Sequence, residues 1–311
     1  MIAALTRRRS PSDLSITNEQ RFYAGVFLLP TVVIALGLIA YPLIYSLLLT
    51  VRGEGDLPGE LGPWIGLINW THLPGDPVFR QSFVQSVMYV VPACVGGVVI
   101  ALGAAVVLNQ DFPGRRVARA CLLIPWALPP VVVAAMFEWF LDARRGLLGA
   151  WLTNLGITTH PPAFFGGIPG TLFTLVGIHV WKTFPLLAIM FLVALQYLPQ
   201  ETLHAARIDG ANMLKRFRYV VLPHLRPTII AAVVIELLIT LQLFDLIYAL
   251  TLGGPGAYST YNLYFYAYKN TFEYQDFGYG AVLAYIVSAL VIIFALILTR
   301  WRSARGQLVA G

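Results

Sequence analysis

The chain predicts an all-α integral membrane protein with six transmembrane helices, on three observations. Of its 311 residues 58% are hydrophobic and only 12% charged, with mean hydropathy +0.73; a soluble chain is about 25% charged. Six apolar runs are long enough to cross about 30 Å of hydrocarbon at about 1.5 Å per residue. Lys and Arg are distributed unequally among the loops between those runs, as they are in membrane proteins of fixed orientation.

The first run, Phe22 to Thr50, lies between Arg21 and Arg52, and the second, Gln81 to Leu108, stops before Asp111. The third, Ala120 to about Phe140, is short and carries Glu138 near its end. The fourth, Thr171 to Leu198, contains Lys182; the fifth, Thr228 to Leu252, contains Glu236 and Asp245; the sixth runs from Gly278 to Thr299. This divides the chain into an N-terminal tail (1–21), a transmembrane domain (22–300) with a polar loop at 199–227, and a C-terminal tail (301–311). The basic start MIAALTRRRS is followed by an apolar stretch too long for a signal-peptide core and without a small-residue cleavage site, so a retained first helix is expected.

With both termini cytoplasmic, fifteen of the 21 Lys and Arg fall inside, at 7–9, 21, 115, 116, 119, 207, 215, 216, 218, 226, 300, 302 and 305. Five fall outside (Arg52, Arg80, Arg144, Arg145, Lys269) and Lys182 lies within a span. An N-in, C-in cell-membrane protein follows. The net charge of +6 is accounted for by anionic lipid headgroups beside these residues, and nucleic acid is not needed as a partner. Cys94 and Cys121 fall at or within spans, which argues against a disulfide.

Enzymatic readings find no support. The chain has no phosphate loop of the G-x-x-x-x-G-K-[ST] kind, no H-E-x-x-H and no G-x-S-x-G. Its five histidines (His72, His160, His179, His204, His224) lack ligand spacing, so no metal is expected.

The loop from Glu201 to Pro227 is the longest polar stretch between two spans. Read as helix, Glu201 to Met213 mixes small and apolar positions (Leu203, Ala205, Ala206, Ile208) with Arg207 and Asp209 projecting elsewhere. Gly210 is expected to end or bend that helix. A second basic helix from Leu214 to Val221 follows, and Pro223 and Pro227 are expected to mark turns where the chain re-enters the membrane. An amphipathic connector on lipid is the alternative, but Ala and Gly favour close approach of a partner over lipid affinity.

Within this loop Ala205-Ala206, Gly210 after three residues, and Val220-x-Leu222-Pro223 after nine more resemble the signature loop of permease subunits of ATP-binding-cassette importers, E-A-A, three residues, G, nine residues, I-x-L-P. His204 stands where the family has Glu, and Val220 where it has Ile; Glu201, one turn earlier, is a candidate substitute for the missing acid. Phe27-Leu28-Leu29-Pro30, residues 40–46 (AYPLIYS), 124–130 (IPWALPP), 180–185 (VWKTFP), 195–199 (LQYLP), 244–248 (FDLIY) and 250–255 (LTLGGP) are similar to the carbohydrate branch that serves maltose, trehalose and glycerol phosphate. The likeness covers about 22 to 300.

That resemblance implies a type I importer permease fold and a coupling helix, with contacts through Glu201, His204, Ala205, Ala206, Asp209, Gly210, Leu222 and Pro223, seated on a separate ATPase dimer that binds the ATP and Mg. It also implies a second homologous permease subunit and an extracellular or periplasmic substrate-binding protein. No cofactor belongs to this chain.

Charges at the bilayer centre cost ~3 kcal/mol or more and normally face the bundle interior or a wet path. Glu236, Thr240 and Leu243 are spaced to share one face of the fifth helix, with Gln242 and Asp245 close by. By resemblance the sugar path adds His179, Trp181, Lys182, Thr183 and Leu186, with Trp181 stacking on a sugar ring. Lys182 pairing with Glu236 or Asp245 is the alternative for those charges, and Asp245 has a third course, reaching towards the outer interface. The outer loops (57–59, 63–64, 161–167) are turn formers with interface aromatics. Two other functions remain open: an importer of an anionic polyol phosphate drawn by Lys182, or a self-contained secondary carrier; a membrane scaffold is a third.

Overall fold

A computed structural model describes residues 18–256 and 258–306; the N-terminal tail as far as residue 17 lies outside it. Among the described residues five helices are long and apolar enough to cross a membrane: Phe22–Leu49, Pro77–Leu108, Gly170–Gln196, Met213–Leu241 and Phe277–Ile297. A sixth span is a broken pair, Arg115–Ala127 and Pro130–Phe140, bent by 95°. The break follows from Leu128-Pro129-Pro130. Leu128 and Pro129 are extended (ψ 137° and 141°), because the residue before a proline avoids the helical region. The short third span expected over Ala120 to about Phe140 is this bent pair.

The second span starts at Pro77, whose missing amide suits the first turn, with Asp76 capping the Val78 amide at 2.8 Å. Its residues Ala93, Gly97, Ala101 and Ala105 recur every fourth position and are all buried, so the helix lies closely along the fourth span. The fifth span packs on the second, fourth and last. Two buried apolar clusters result. One, including Tyr89, Leu175, Ile247, Phe265 and Val282, fills the half nearer the 253–277 loop. The other, including Ala101, Leu187, Phe191 and Leu225, fills the half nearer the polar loop.

The first span stands apart: Phe27 and Leu38 are 78% and 75% exposed, a surface for lipid or another membrane chain. It is tied in near its end, where Ser46 Oγ meets Tyr285 Oη at 3.0 Å. It widens to a π-helical stretch at Ala35–Ala40 just before Pro42, and the same occurs at Phe217–Val221 just before Pro223. A proline cannot bond four residues back, and the wider turn takes up the freed carbonyls. Pro223 and Pro227 thus sit inside one continuous helix, Met213–Leu241, and not at the turns expected of them.

The fifth span also ends early. The helix stops at Leu241, Gln242 to Phe244 turn, and a separate helix runs Asp245–Leu250. Between the first two spans lies a two-stranded antiparallel hairpin, Arg52–Glu54 with Leu61–Trp64. Cys94 and Cys121 are free thiols.

Candidate functional site

Where the two apolar clusters meet, the chain places its most buried carboxylate. Glu236 is 0% exposed. Its Oε1 accepts from Thr183 Oγ1 at 3.0 Å and lies 3.1 Å from His179 Nε2. Thr240 Oγ1 is 3.0 Å from the same nitrogen and donates its one hydrogen to the Glu236 carbonyl at 2.7 Å. Thr240 therefore accepts from the ring, so His179 carries its proton on Nε2. The second carboxylate oxygen, Oε2, is buried with no hydrogen-bond partner among the described residues. Gly97 of the second span makes the room: a Cβ there would stand 3.4 Å from Oε1. His179 and Thr183 sit one turn apart on the fourth span, Glu236 and Thr240 one turn apart on the fifth, so the cluster clasps two helices.

Beside the clasp opens a cleft of about 270 Å³, lined by His179 and Thr183 and by Trp126, Lys182, Gln242 and Asp245 among others. Lys182 Nζ donates to the Trp126 carbonyl at 3.3 Å, next to the break in the third span. Gln242, in the turn after Leu241, and Asp245, at the start of the next helix, both line this cleft. Leu243 is buried but lies in that turn, so it does not continue the Glu236 and Thr240 face.

The structure thus brings together His179, Lys182, Thr183, Gln242, Leu243 and Asp245, with Glu236 and Thr240 behind them. It does not bring two expected members. Trp181 packs edge-on against Phe137, centroids 5.2 Å apart, at the border of an apolar cluster, which occupies the ring expected to stack on sugar. Leu186 lines a separate groove with Tyr197 and Pro227. Of the two partners considered for Lys182, Glu236 is taken by His179 and Thr183, and Asp245 shares the cleft without an ion pair to Lys182 among the described residues.

A second candidate site is the polar loop. Its first helix is Gln200–Ile208, shorter than expected, and it ends at Gly210 in the left-handed region, φ +75°, where glycine has no Cβ penalty. Gly210 N and Ala211 N bond back to Arg207 O and Ala206 O, each at 3.0 Å. Asn212 then caps the next helix through Lys215 N at 2.9 Å. Glu201, His204, Ala205, Asp209, Gly210, Leu222 and Pro223 are exposed and Ala206 half-buried. Ile208 is 87% exposed, with Met213 and Leu214 also in the open.

Sequence reasoning missed a third group. Asp76 Oδ2 accepts from Tyr266 Oη at 2.6 Å and Tyr279 Oη at 2.5 Å, joining the start of the second span to the 263–268 helix and the last span. Burial pushes the Asp76 carboxyl up, but the two phenols and the Phe79 and Val78 amides outweigh it and leave it below its ordinary 3.8. An Asp before Pro at a helix start was the available signal. Among the described residues no group of three or more His, Cys, Asp or Glu is placed to hold a metal ion.

Comparison with known proteins adds relatives to this geometry. Residues 97–305 match the family described as "Binding-protein-dependent transport system inner membrane component". The sulfoquinovosyl glycerol transport system permease protein of Agrobacterium fabrum is 33% identical over 278 residues, 87% of each chain. The trehalose/maltose transport system permease protein of Thermococcus litoralis is 31% identical over 289 residues, 92% of this chain and 96% of that one. In solved structures, a chain of a bacterial ABC transporter involved in import of the acidic polysaccharide alginate superposes with TM-score 0.78 at 19% identity, covering 91% of this chain and 96% of that one; that likeness concerns the fold.

Proposed function

The chain belongs to the binding-protein-dependent transport system inner membrane components, and from that membership we propose that it forms half of the pore of an ATP-driven carbohydrate importer. It is a multi-pass membrane permease, not an enzyme. The observation that carries the coupling reading is the exposed, capped helix-turn-helix at 200–216, which leaves Ile208, Met213 and Leu214 in water on the face richest in Arg and Lys. Apolar side chains presented beside small residues on a rigid turn fit a protein cleft. The occupant of that role is an ATPase dimer that binds ATP and Mg; its closure pushes the loop, and the continuous helix Met213–Leu241 carries the displacement to the Lys182 cleft.

At the cleft, Lys182, Gln242 and Asp245 supply donors and acceptors for hydroxyl groups, while the Glu236 clasp holds the two helices that carry them. A second homologous permease completes the pore, and a substrate-binding protein delivers from outside, on the surface near the 253–277 loop. The names of the relatives, a sulfoquinovosyl glycerol and a trehalose/maltose permease, favour a glycoside.

The test is uptake into proteoliposomes, with the chain alone and with its partner permease and ATPase. Trehalose or sulfoquinovosyl glycerol entering only with ATP and every subunit present is the expected result. Uptake by the chain alone under an ion gradient would instead select the secondary carrier, and a preference for glycerol phosphate the polyol-phosphate importer. Uptake indifferent to Lys182→Ala and Gln242→Ala would leave only a scaffold.

A further inference from the structure

A groove of about 350 Å³ opens on the surface between the start of the second span and the start of the fourth. Val84 and Met88 form one apolar wall and Ile168 and Leu172 the other, and its polar groups are Arg80, Gln81 and Gln85. Val84, Met88 and Ile168 are exposed. The second span has 32 residues, about 48 Å at about 1.5 Å per residue, against about 30 Å of hydrocarbon. Its polar first turns, Asp76 to Gln81, therefore stand at headgroup level, with Val84 and Met88 in the hydrocarbon below them. The distribution of Lys and Arg puts this end of the span outside.

Two side chains of the groove lack partners. The Arg80 side chain is exposed and makes no hydrogen bond or ion pair among the described residues. Gln85 is the stronger sign: it is 5% exposed, and its Oε1 is buried with no hydrogen-bond partner among the described residues, where a buried amide normally has one. Its neighbours are satisfied. Gln81 Nε2 donates to the Tyr258 carbonyl at 3.2 Å, and Ser86 Oγ accepts from the Leu263 amide at 2.9 Å. The chain thus pairs the residues around Gln85 and leaves Gln85 and Arg80 to a group from outside it. A half-turn of the Gln85 amide presents either its carbonyl or its NH2 to the groove.

We propose that this groove holds one anionic phospholipid of the outer leaflet, with its phosphate on Arg80, an ester carbonyl on the Gln85 amide and its acyl chains along Val84, Met88, Ile168 and Leu172. A guanidinium takes phosphate in a fork of two N–H bonds. The esters of a phospholipid lie deeper than its phosphate, and Gln85 lies deeper than Arg80, five residues or about 7.5 Å further along the helix. A free phosphate would leave the apolar walls bare, and an apolar helix of another membrane chain would leave both polar groups unanswered. Because Gln81 and Ser86 tie the 258–263 segment to the same helix, the lipid braces the joint of the second span, the fourth span and that segment. The site is independent of the transported substrate.

The experiment is native mass spectrometry of the full chain released from detergent and titrated with dioleoyl phosphatidylglycerol or dioleoyl phosphatidylcholine. Both probes carry a phosphate and two esters, and they differ in net charge. The wild type retains one phosphatidylglycerol about tenfold more tightly than phosphatidylcholine. Arg80→Gln removes that preference, while Gln85→Leu weakens both lipids alike and keeps it. Arg144→Gln, at an exposed guanidinium on the same side but outside the groove, changes neither. Phosphatidylglycerol also raises the unfolding temperature of the wild type and not that of Arg80→Gln. Equal retention of the two lipids by the wild type, or a preference that Arg144→Gln lowers as much as Arg80→Gln, overturns the site in favour of a non-specific lipid shell. Competition by inorganic phosphate overturns it in favour of a plain anion site, and no retained lipid overturns it in favour of another membrane chain.

Discussion

Removing His179 while keeping Glu236 strands a carboxylate at the junction of the two apolar clusters. In His179→Leu, Glu236 Oε1 keeps only Thr183 as donor and Oε2 remains without a partner. Breaking a buried pair from one side costs about 3–5 kcal/mol, because the remaining charge is uncompensated. Glu236→Leu is milder: His179 Nε2–H still reaches Thr240 at 3.0 Å, so the loss is about 1–2 kcal/mol. The double variant replaces both polar groups by apolar ones beside Gly97, an exchange that is often near neutral. It is therefore expected to be more stable than His179→Leu alone, the two single losses failing to add in the double variant. Thermal unfolding followed by size-exclusion of the detergent-solubilised chain reads this directly. At about 2–4 °C per kcal/mol, His179→Leu falls by about 6 °C or more and the double variant recovers most of it. Additive losses, or a His179→Leu shift of under about 2 °C, would refute the clasp.

Asp76→Asn removes the charge from two phenol bonds and the helix cap, and is expected to cost about 2–4 kcal/mol in the same assay. Because the folded carboxyl sits below 3.8, its contribution is complete above about pH 4 and is lost as pH falls below 3.8 through the folded value; the difference between wild type and Asp76→Asn should therefore be full at pH 7 and shrink as pH falls below 3.8, and a constant difference would contradict the assignment. Gly210→Val forces a branched side chain into φ +75°, about 1–2 kcal/mol of local strain, and should abolish stimulation of the ATPase without altering membrane insertion; retained transport would sink the docking role. Ile208→Asp, at an 87% exposed position, should leave the unfolding temperature unchanged and weaken ATPase binding at least tenfold in pull-down titration.

Much of this architecture was legible because it follows from hydrocarbon length and turn chemistry. The spans over 77–108, 170–196 and 277–306 start within four residues of their apolar runs, and Gly210 ends its helix because only a left-handed residue closes the turn there. Proline was the unreliable sign. Leu128-Pro129-Pro130 bends a span by 95°, whereas Pro223 and Pro227 lie within a helix whose π-helical turn at Phe217–Val221 absorbs the lost bonds. A chain seen one residue at a time does not distinguish the two cases, since the compensation lies in the width of the preceding turn.

The same limit explains the candidate site. Spacing put Glu236 and Thr240 on one face, and the structure keeps them there, but pairing is a property of two helices at once. The sequence argument weighed only Lys182 as a partner for Glu236, whereas the carboxylate lies against Gly97, a residue of a third helix that no charge pattern singles out. With Gly97 giving the carboxylate its space, Glu236 turns to His179 and Thr183, and Lys182 is left to the cleft with Asp245. Gln242 and Asp245, on either side of the turn after Leu241, line the same opening. The groups offered to a substrate are thus those the clasp leaves over, so a change at Gly97 should reach the cleft through Glu236 before it touches any lining residue. Gly97→Leu, tested by the same proteoliposome uptake as Lys182→Ala, should slow sugar uptake although residue 97 does not line the cleft; unchanged uptake would separate the clasp from the site.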